Sequence, residues 1–387
     1  MQEQSAEVPA ATGRVLIADD QAHIVEALEM LLKGSGFSTE TVSHPARVLR
    51  ALEASAFDAV VMDLNYTRGI ASGEEGLELV SQIRARDKLL PVLVMTAWGS
   101  VDLAVEAMRR GASDFVEKPW ENQHLLDKLQ KQLRRAREQR RAQREREEEW
   151  QEAHEIQQRL LPKRLPEIAG YEVAGMTQPL RFVGGDYYNV ARWSEHQTAI
   201  CIADVAGKGL AAALLMSSLQ AALKPLIAQR LAPSELCQRL NRILCDLMPT
   251  GKFISFFYGV LDSKENRLTY CNAGHNPPLV VRADGGSMEL DAAGAVLGQF
   301  PAWGYEQSEL RLEAGDRLLI FTDGLVEACN DNDQPFGENN VVRIARENRG
   351  ANARELMDLT MRAASAHCGG HFQDDASLIV LKRWSGD

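Results

Sequence analysis

The chain has little cysteine, few aromatics, no long hydrophobic run and no excess of positive charge. Its six cysteines (Cys201, Cys237, Cys245, Cys271, Cys329 and Cys368) include no C-x-x-C pair and stand beside no histidine cluster. That excludes a dense disulfide framework and points to buried free thiols in a reducing cytosol. Residues 1–13 are polar and acidic with no apolar core, so no signal peptide is expected. The most apolar stretch, 210–223, contains Ser217, Ser218 and Gln220 and runs into Lys224, which reads as too short and too polar to span a bilayer. A cytoplasmic protein with no membrane partner is expected. Lys and Arg number 43 against 54 Asp and Glu, a formal net charge of −11, which disfavours nonspecific binding to nucleic acid or an anionic membrane.

What is present is the composition of a folding chain. Hydrophobic residues make up 45% of the 387, aromatics only 6%, and at ~150 residues per domain the length suggests two or three cores. Over residues 14–118, short β-branched runs (Val15-Leu16-Ile17-Ala18, Val60-Val61-Met62, Val92-Leu93-Val94-Met95) alternate with helix-spaced apolar residues at 24–32, 48–52, 77–83 and 103–108. Uninterrupted runs of this kind suit strands buried on both faces, and the alternation predicts a doubly wound α/β domain with a flavodoxin-like sheet. Residues 128–149 then form a basic island, nine basic residues against five acidic, with no Gly, Pro or interleaved aromatic. Leu125, Leu126, Leu129, Leu133 and Ala136 make an apolar stripe before it, and Trp150, Ala153, Ile156 and Leu160 make one after it. One long helix over 125–161 is expected, solvated in its middle, braced by Arg134/Glu138, Arg141/Glu145 and Arg144/Glu148, and stopped by Pro162 and Pro166. A dimeric coiled coil is one use for such a helix. Beyond residue 171, strand-like runs at 198–203, 256–261, 318–322 and 378–381 mix with helical patterns at 211–222, 233–247 and 353–366, an α+β domain.

In the first domain, Asp19 and Asp20 follow the first strand, Asp63 ends the third, Thr96 ends the fourth, and Lys118-Pro119 follow the fifth. In a parallel sheet these are carboxyl ends that meet on one edge. Three carboxylates held together repel unless a cation neutralises them, and Mg²⁺ with its oxygen ligands suits them. An aspartate beside that ion, a threonine hydroxyl and a lysine amine is equipped to accept a phosphoryl group. Taken singly, an Asp after a strand is a common turn or cap residue; the ordered set of five is what carries the signal. With these motifs, residues 14–125 resemble the receiver domain of two-component response regulators. The resemblance implies Asp63 as phosphoacceptor, Thr96, Phe115 and Lys118 as switch residues, and Mg²⁺ held by Asp19, Asp20, Asp63 and the Asn65 backbone carbonyl. It also implies a sensor histidine kinase as phosphoryl donor. The sequence departs from the family in the long segment after Asp63, which lacks the usual Met-Pro.

In the second domain, aspartates sit in glycine frames or at strand ends: Gly184-Gly185-Asp186, Asp204-Val205-Ala206-Gly207-Lys208-Gly209, Thr322-Asp323-Gly324 and Asp374-Asp375. Glycine lets the backbone approach an ion or a phosphate closely. Carboxylates converging without His or Cys suit hard divalent ions, and two such ions can activate a water for in-line phosphoryl displacement. The competing explanation for each pair is turn chemistry. His275, in Ala273-Gly274-His275-Asn276-Pro277-Pro278, is either a general acid or a structural loop residue. With Ile156-Gln157-Gln158-Arg159-Leu160-Leu161-Pro162 and Phe336-Gly337, these motifs make residues 152–383 resemble the PPM family of metal-dependent serine/threonine phosphatases, in its bacterial RsbU-like branch. The resemblance implies an αββα sandwich and direct hydrolysis with two Mn²⁺ or Mg²⁺ ions. Asp204 would bridge the ions with the Val205 carbonyl beside it, Asp186, Asp323 and Asp374 would complete the ligands, and Gly207, Lys208, Gly209, His275 and Asp375 would lie just outside. Asn189 stands where the branch often has Asp.

The expected organisation is therefore a disordered segment 1–13, a receiver 14–127, a helical linker 128–163 and a PPM-type phosphatase domain 164–387. Phosphorylation of Asp63 would control the phosphatase through the linker, most simply in a homodimer. The branch implies a phosphoserine or phosphothreonine STAS anti-sigma factor antagonist as substrate. Two alternatives carry their own signatures. A non-catalytic adaptor for a sigma or anti-sigma factor should have lost metal aspartates, and a DNA-binding regulator should carry an effector motif after the receiver.

Overall fold

Apolar runs with no polar alternation have to be covered on both sides, and the first half of the chain does this with a parallel sheet. A computed structural model describes residues 13–66, 73–97, 101–290 and 294–384. The segment expected to be disordered, 1–13, lies outside these apart from Gly13. The chain divides into two units, Met1–Glu147 and Glu148–Asp387.

The first unit holds β1 (Arg14–Ala18), β2 (Ser38–Val42), β3 (Ala59–Asp63), β4 (Val92–Ala97) and β5 (Asp114–Lys118), all parallel, in the order β2-β1-β3-β4-β5. Its helices are α1 (Ala22–Gly34), α2 (Pro45–Ala54), α3 (Glu74–Arg86), α4 (Val101–Arg109) and the first turns of α5 (Asn122–Gln158). Successive strand side chains go to opposite faces. Val15 and Ile17 pack with Leu28 and Leu32 of α1 and with Leu125, Leu129 and Leu133 of α5. Leu16 and Ala18 pack with Val48 of α2 and Leu77, Val80 and Ile83 of α3. Helices on both faces and the 2-1-3-4-5 order make the doubly wound, flavodoxin-like fold that the sequence suggested. The edge strand β2, Ser-Thr-Glu-Thr-Val, buries no residue fully, which is why no apolar run announced it.

The second unit contains two antiparallel five-stranded sheets. One is built from β7 (Tyr187–Arg192), β8 (Gln197–Val205), β9 (Ile254–Asp262), β10 (Arg267–Ala273) and β13 (Ser308–Arg311). The other is built from β6 (Tyr171–Gln178), β11 (Leu279–Val281), β12 (Ser287–Glu289), β14 (Arg317–Phe321) and β15 (Ala376–Arg383). Helices α6 (Leu210–Ala228) and α7 (Pro233–Leu247) lie against the first sheet. Helices α8 (Asp323–Val326), α9 (Glu338–Glu347) and α10 (Ala353–His367) lie on the side of the second. The alternation along β14 and β15 shows the layering. Leu318, Ile320, Ile379 and Leu381 share a core with Ile200, Ile202 and Phe257 of the first sheet. Leu319, Phe321, Leu378 and Val380 instead meet Val341 and Ile344 of α9 and Leu356 and Met361 of α10. The architecture is an αββα sandwich.

Three details differ from expectation. Helix α5 stops at Gln158, ahead of Pro162, because its last turn tightens into Arg159 N–Ile156 O and Leu160 N–Gln157 O bonds. Near that end the expected stripe of Trp150, Ala153, Ile156 and Leu160 packs only in part: Leu160 lies against the core and Trp150 stacks on Phe182. Ile156 is 56% exposed, while His154 and Gln157 are drawn in by polar partners that no apolar stripe reveals. Of the three expected brace pairs, Arg141–Glu145 closes, at 2.7 Å. The third difference is α6, which continues past Lys224 to 19 residues and is, among the described residues, the one helix long and apolar enough to cross a membrane. Its Met216, Leu219 and Leu223 are fully buried in the sandwich, the contacts of a core helix.

Two candidate metal centres

In the first unit the carboxyl ends of β1, β3, β4 and β5 converge. Asp19 follows β1, Asp63 closes β3, and one carboxylate oxygen from each of Asp19, Asp20 and Asp63 lies within 4.8 Å of the others. Lys118, the last residue of β5, reaches both buried acids, its Nζ 2.7 Å from Asp19 Oδ2 and 2.8 Å from Asp63 Oδ2. Burial raises the pKa of Asp63, and the Lys118 hydrogen bond and charge pull it back. Thr96 is buried at the end of β4. Phe115 is half-buried on β5, its ring 4.7 Å below the Lys128 ammonium, which also donates to the Phe115 carbonyl at 2.6 Å. Asp20 Oδ1 and Asn65 Oδ1 are buried without a hydrogen-bond partner. Three close carboxylates, one with an orphaned oxygen, and the orphaned Asn65 amide oxygen suit a hard cation with oxygen ligands. Tyr66, whose hydroxyl donates to the Ala18 carbonyl at 3.1 Å, closes over this edge and was not foreseen.

In the second unit the aspartates come from four separate places along the chain. Asp186 precedes β7, Asp204 lies near the end of β8, Asp323 opens α8 just after β14, and Asp374 and Asp375 precede β15. Asp186 is buried. Its Oδ2 accepts from the hydroxyls of Thr322 (2.8 Å) and Ser377 (2.6 Å), while its Oδ1 is buried with no partner. Asp375 is occupied by backbone, accepting from Leu180 N at 2.7 Å and Gly185 N at 2.6 Å. Asp374 pairs with Lys208 at 2.8 Å. The electrostatic outcome is uncompensated negative charge. Burial, then Asp323, Asp374 and Asp375, push the Asp204 carboxyl up to about 7. Burial raises Asp186 well above the usual range with Asp204 adding to it, and burial also raises Asp323 and Asp375. An all-carboxylate set with raised proton affinity and an orphaned oxygen has the chemistry of a divalent-cation centre of the Mg²⁺ or Mn²⁺ type.

Glycine makes two of these approaches possible. A Cβ on Gly184 would lie 2.5 Å from Asp375 Oδ2, so any side chain there would evict the carboxylate. Gly207 has φ +108°, and its open side is filled by the Lys252 ammonium, which donates to the Ala206 carbonyl at 3.0 Å. His275 is held by neutral partners. Its Nδ1 is 2.9 Å from Ser255 Oγ, its backbone is clamped by Asn272, and burial lowers its pKa to about 4. Thr322, Ser377, Lys252 and the hydrogen-bonding role of Gln157 were not foreseen. Asp-flanking hydroxyls such as Thr322-Asp323 and Asp375-Ala376-Ser377 are the one local signal that could have pointed to the first two.

Comparison with known proteins agrees with both halves. The family described as response regulator receiver domain matches residues 15–130, and the family described as Stage II sporulation protein E (SpoIIE) matches residues 194–384. The chain is 30% identical over 232 residues to the phosphoserine phosphatase RsbU of Bacillus subtilis, covering 60% of this chain and 69% of that protein. The SiaA-PP2C domain of Pseudomonas aeruginosa superposes with a TM-score of 0.56 at 20% identity, covering 62% of this chain and 98% of that one. The RsbU and RsbW domains of Rv1364c from Mycobacterium tuberculosis give 0.51 at 24%, covering 59% of this chain and 64% of that one. Both structures share the αββα fold. Fold and acidic centres together define a response regulator whose output half is a metal-dependent PPM-type protein phosphatase. The chain belongs to the RsbU and SpoIIE family of these phosphatases, with a receiver domain ahead of the catalytic one.

Proposed function

We propose that the protein dephosphorylates a phosphoserine or phosphothreonine STAS-type anti-sigma factor antagonist, and that phosphorylation of Asp63 by a sensor histidine kinase controls this activity. The observation that carries the catalytic part is the convergence of Asp186, Asp204, Asp323 and Asp374 from four places along the chain, with Asp204 pushed up to about 7 and Asp186 Oδ1 left unpartnered. These four carboxylates and the Val205 carbonyl would hold two Mn²⁺ or Mg²⁺ ions. When bound, such ions supply charge neutralisation of the phosphoryl group and an activated water for in-line displacement. The residues of the chain do the rest. Thr322 and Ser377 fix the rotamer of Asp186, Asp375 holds the Leu180 and Gly185 amides, and Lys208 secures Asp374. His275 serves the loop: with a pKa of about 4 and held by Ser255, it is a neutral imidazole near neutral pH and lacks the imidazolium proton a general acid would give.

In the receiver, Asp19, Asp20, Asp63 and Asn65 would hold one Mg²⁺, and Lys118 stands beside the accepting oxygen of Asp63. Thr96 and Phe115 would carry the change outward, and α5 would relay it, in a cytoplasmic homodimer paired along the linker. The domains are taken as receiver 14–127, linker 128–163 and phosphatase 164–387. No direct nucleic-acid contact is part of this scheme.

The test is Mn²⁺-dependent phosphate release from a phosphoserine STAS protein, wild type against Asp204→Asn. The expected result is robust wild-type turnover and a loss of more than ~100-fold in the variant, beyond the range of outer-shell partners. Equal activity in the two refutes the metal assignment. Absence of activity in both supports a binding role for the domain.

A further inference from the structure

The connection that presents Asp186 is held residue by residue. Asp186 itself is gripped by Thr322 and Ser377, and the Gly185 amide donates to Asp375. Gly184 is gripped by Gln157, which uses both ends of its amide on one residue: Nε2 donates to the Gly184 carbonyl at 2.7 Å, and Oε1 accepts from the Gly184 N–H at 3.0 Å. Two bonds to one residue, one on each peptide unit flanking its Cα, set position and orientation together, as a paired strand would. Gln157 is buried, so neither amide end has water as a substitute partner, and losing either bond strands a buried polar group on each side.

The grip belongs to one face of α5. Trp150, His154 and Gln157 stand at i, i+4 and i+7. The Trp150 ring stacks on Phe182 with centroids 6.3 Å apart, and His154 Nδ1 lies 2.5 Å from the Phe182 carbonyl. Residues 182–184 are therefore fastened along nearly two turns of helix, and the next residues are Gly185 and Asp186. Two glycines cannot hold a loop by their own side chains, and they have broad φ and ψ freedom to lose. Their conformation has to be imposed from outside.

We propose that Gln157 is a positioning residue of the phosphatase centre, holding the Gly184-Gly185-Asp186 loop in the shape that aims Asp186 at the cation. The proposal rests on the reading of Asp186 as a metal ligand and adds to it the element that decides how well the ligand is presented. The end of α5 thereby sets divalent-cation affinity without touching a ligand.

Gln157→Met keeps length and apolar stem and removes both hydrogen bonds. Gln157→Glu keeps the acceptor for the Gly184 N–H alone. The full-length chain is examined by Mn²⁺ calorimetry, by amide hydrogen exchange of the metal-free protein over 180–186, and by turnover at saturating Mn²⁺, with thermal melts to show that each variant is folded. Gln157→Met is expected to weaken Mn²⁺ binding about 10-fold or more, the cost typical of an outer-shell partner. It should also speed exchange at Gly184 and Gly185 while turnover at saturating metal stays within about 3-fold. Gln157→Glu should restore protection at the Gly184 amide. Wild-type affinity and exchange in folded Gln157→Met overturn the proposal. Asp186→Asn run alongside separates the two layers. If it too binds Mn²⁺ like wild type, the ligand reading has failed, and the exchange data alone then decide whether Gln157 holds the loop.

Discussion

Two acidic centres in one chain, made from the same side chain, settle their self-repulsion in different ways. The receiver gathers three carboxylates within 4.8 Å and gives the two buried ones a shared lysine, at 2.7 and 2.8 Å. The phosphatase gathers five, and its ion pair there is the half-exposed Lys208 on Asp374. The result is visible in proton affinity: Asp204 is pushed up to about 7, and Asp186, Asp323 and Asp375 rise with it. A built-in cation offsets part of the receiver's charge. The phosphatase keeps a larger deficit, which suits divalent cations.

The comparison breaks most visibly at Lys118. Lys118→Met removes the ammonium that faces both Asp19 and Asp63, and phosphoryl uptake from acetyl phosphate, followed by intact mass, should slow by about 100-fold, the scale of losing one preorganised donor. Phosphatase turnover of the unphosphorylated protein should not change. If uptake by the variant matches wild type, the lysine is merely a structural counter-ion.

A smaller effect is expected at His275. A general acid contributes ~10²–10⁴-fold, so His275→Asn should cost less than ~10-fold in turnover if the residue only secures its loop through Ser255 and Asn272. A loss of 100-fold or more, with a changed pH profile, would restore the general-acid role.

The smallest effect is on stability without metal. The Asp204 carboxyl is raised from 3.8 to about 7 in the folded chain, so the stabilisation from its protonation is fully present below pH 3.8 and is lost as the pH rises through about 7. Melting of the metal-free protein should therefore fall between pH 5.5 and 8. In Asp204→Asn the fall should be shallower, by a few degrees. His275, lowered from 6.5 to about 4, acts oppositely, its contribution being complete above pH 6.5 and lost as the pH falls through 4. Both proteins contain it, so the difference between them isolates Asp204. Parallel melting curves would show that the aspartate is not buried as described.

The sequence by itself determined the kind of each half and the order of its acids. An apolar run such as Val60-Val61-Met62 or Leu318-Leu319-Ile320 states its own burial, and an aspartate within a few residues of its end, Asp63 or Asp323, lands at or just past a strand end. It also placed the long helix, although not its final turn or the polar part of its docked face. Edge strands such as β2 stayed hidden because a strand with one neighbour and a wet face needs no apolar run. What only the tertiary structure decided is who holds whom. Ser377 reaches Asp186 across 191 residues and Thr322 across 136, and Lys118 meets Asp19 across 99. Gln157 finds Gly184 rather than following the apolar stripe beside it. Hydrophobic spacing is a local property and can be read along the chain. A buried hydrogen bond is chosen by whichever polar group folding leaves without water, and that group is known only once the elements have packed.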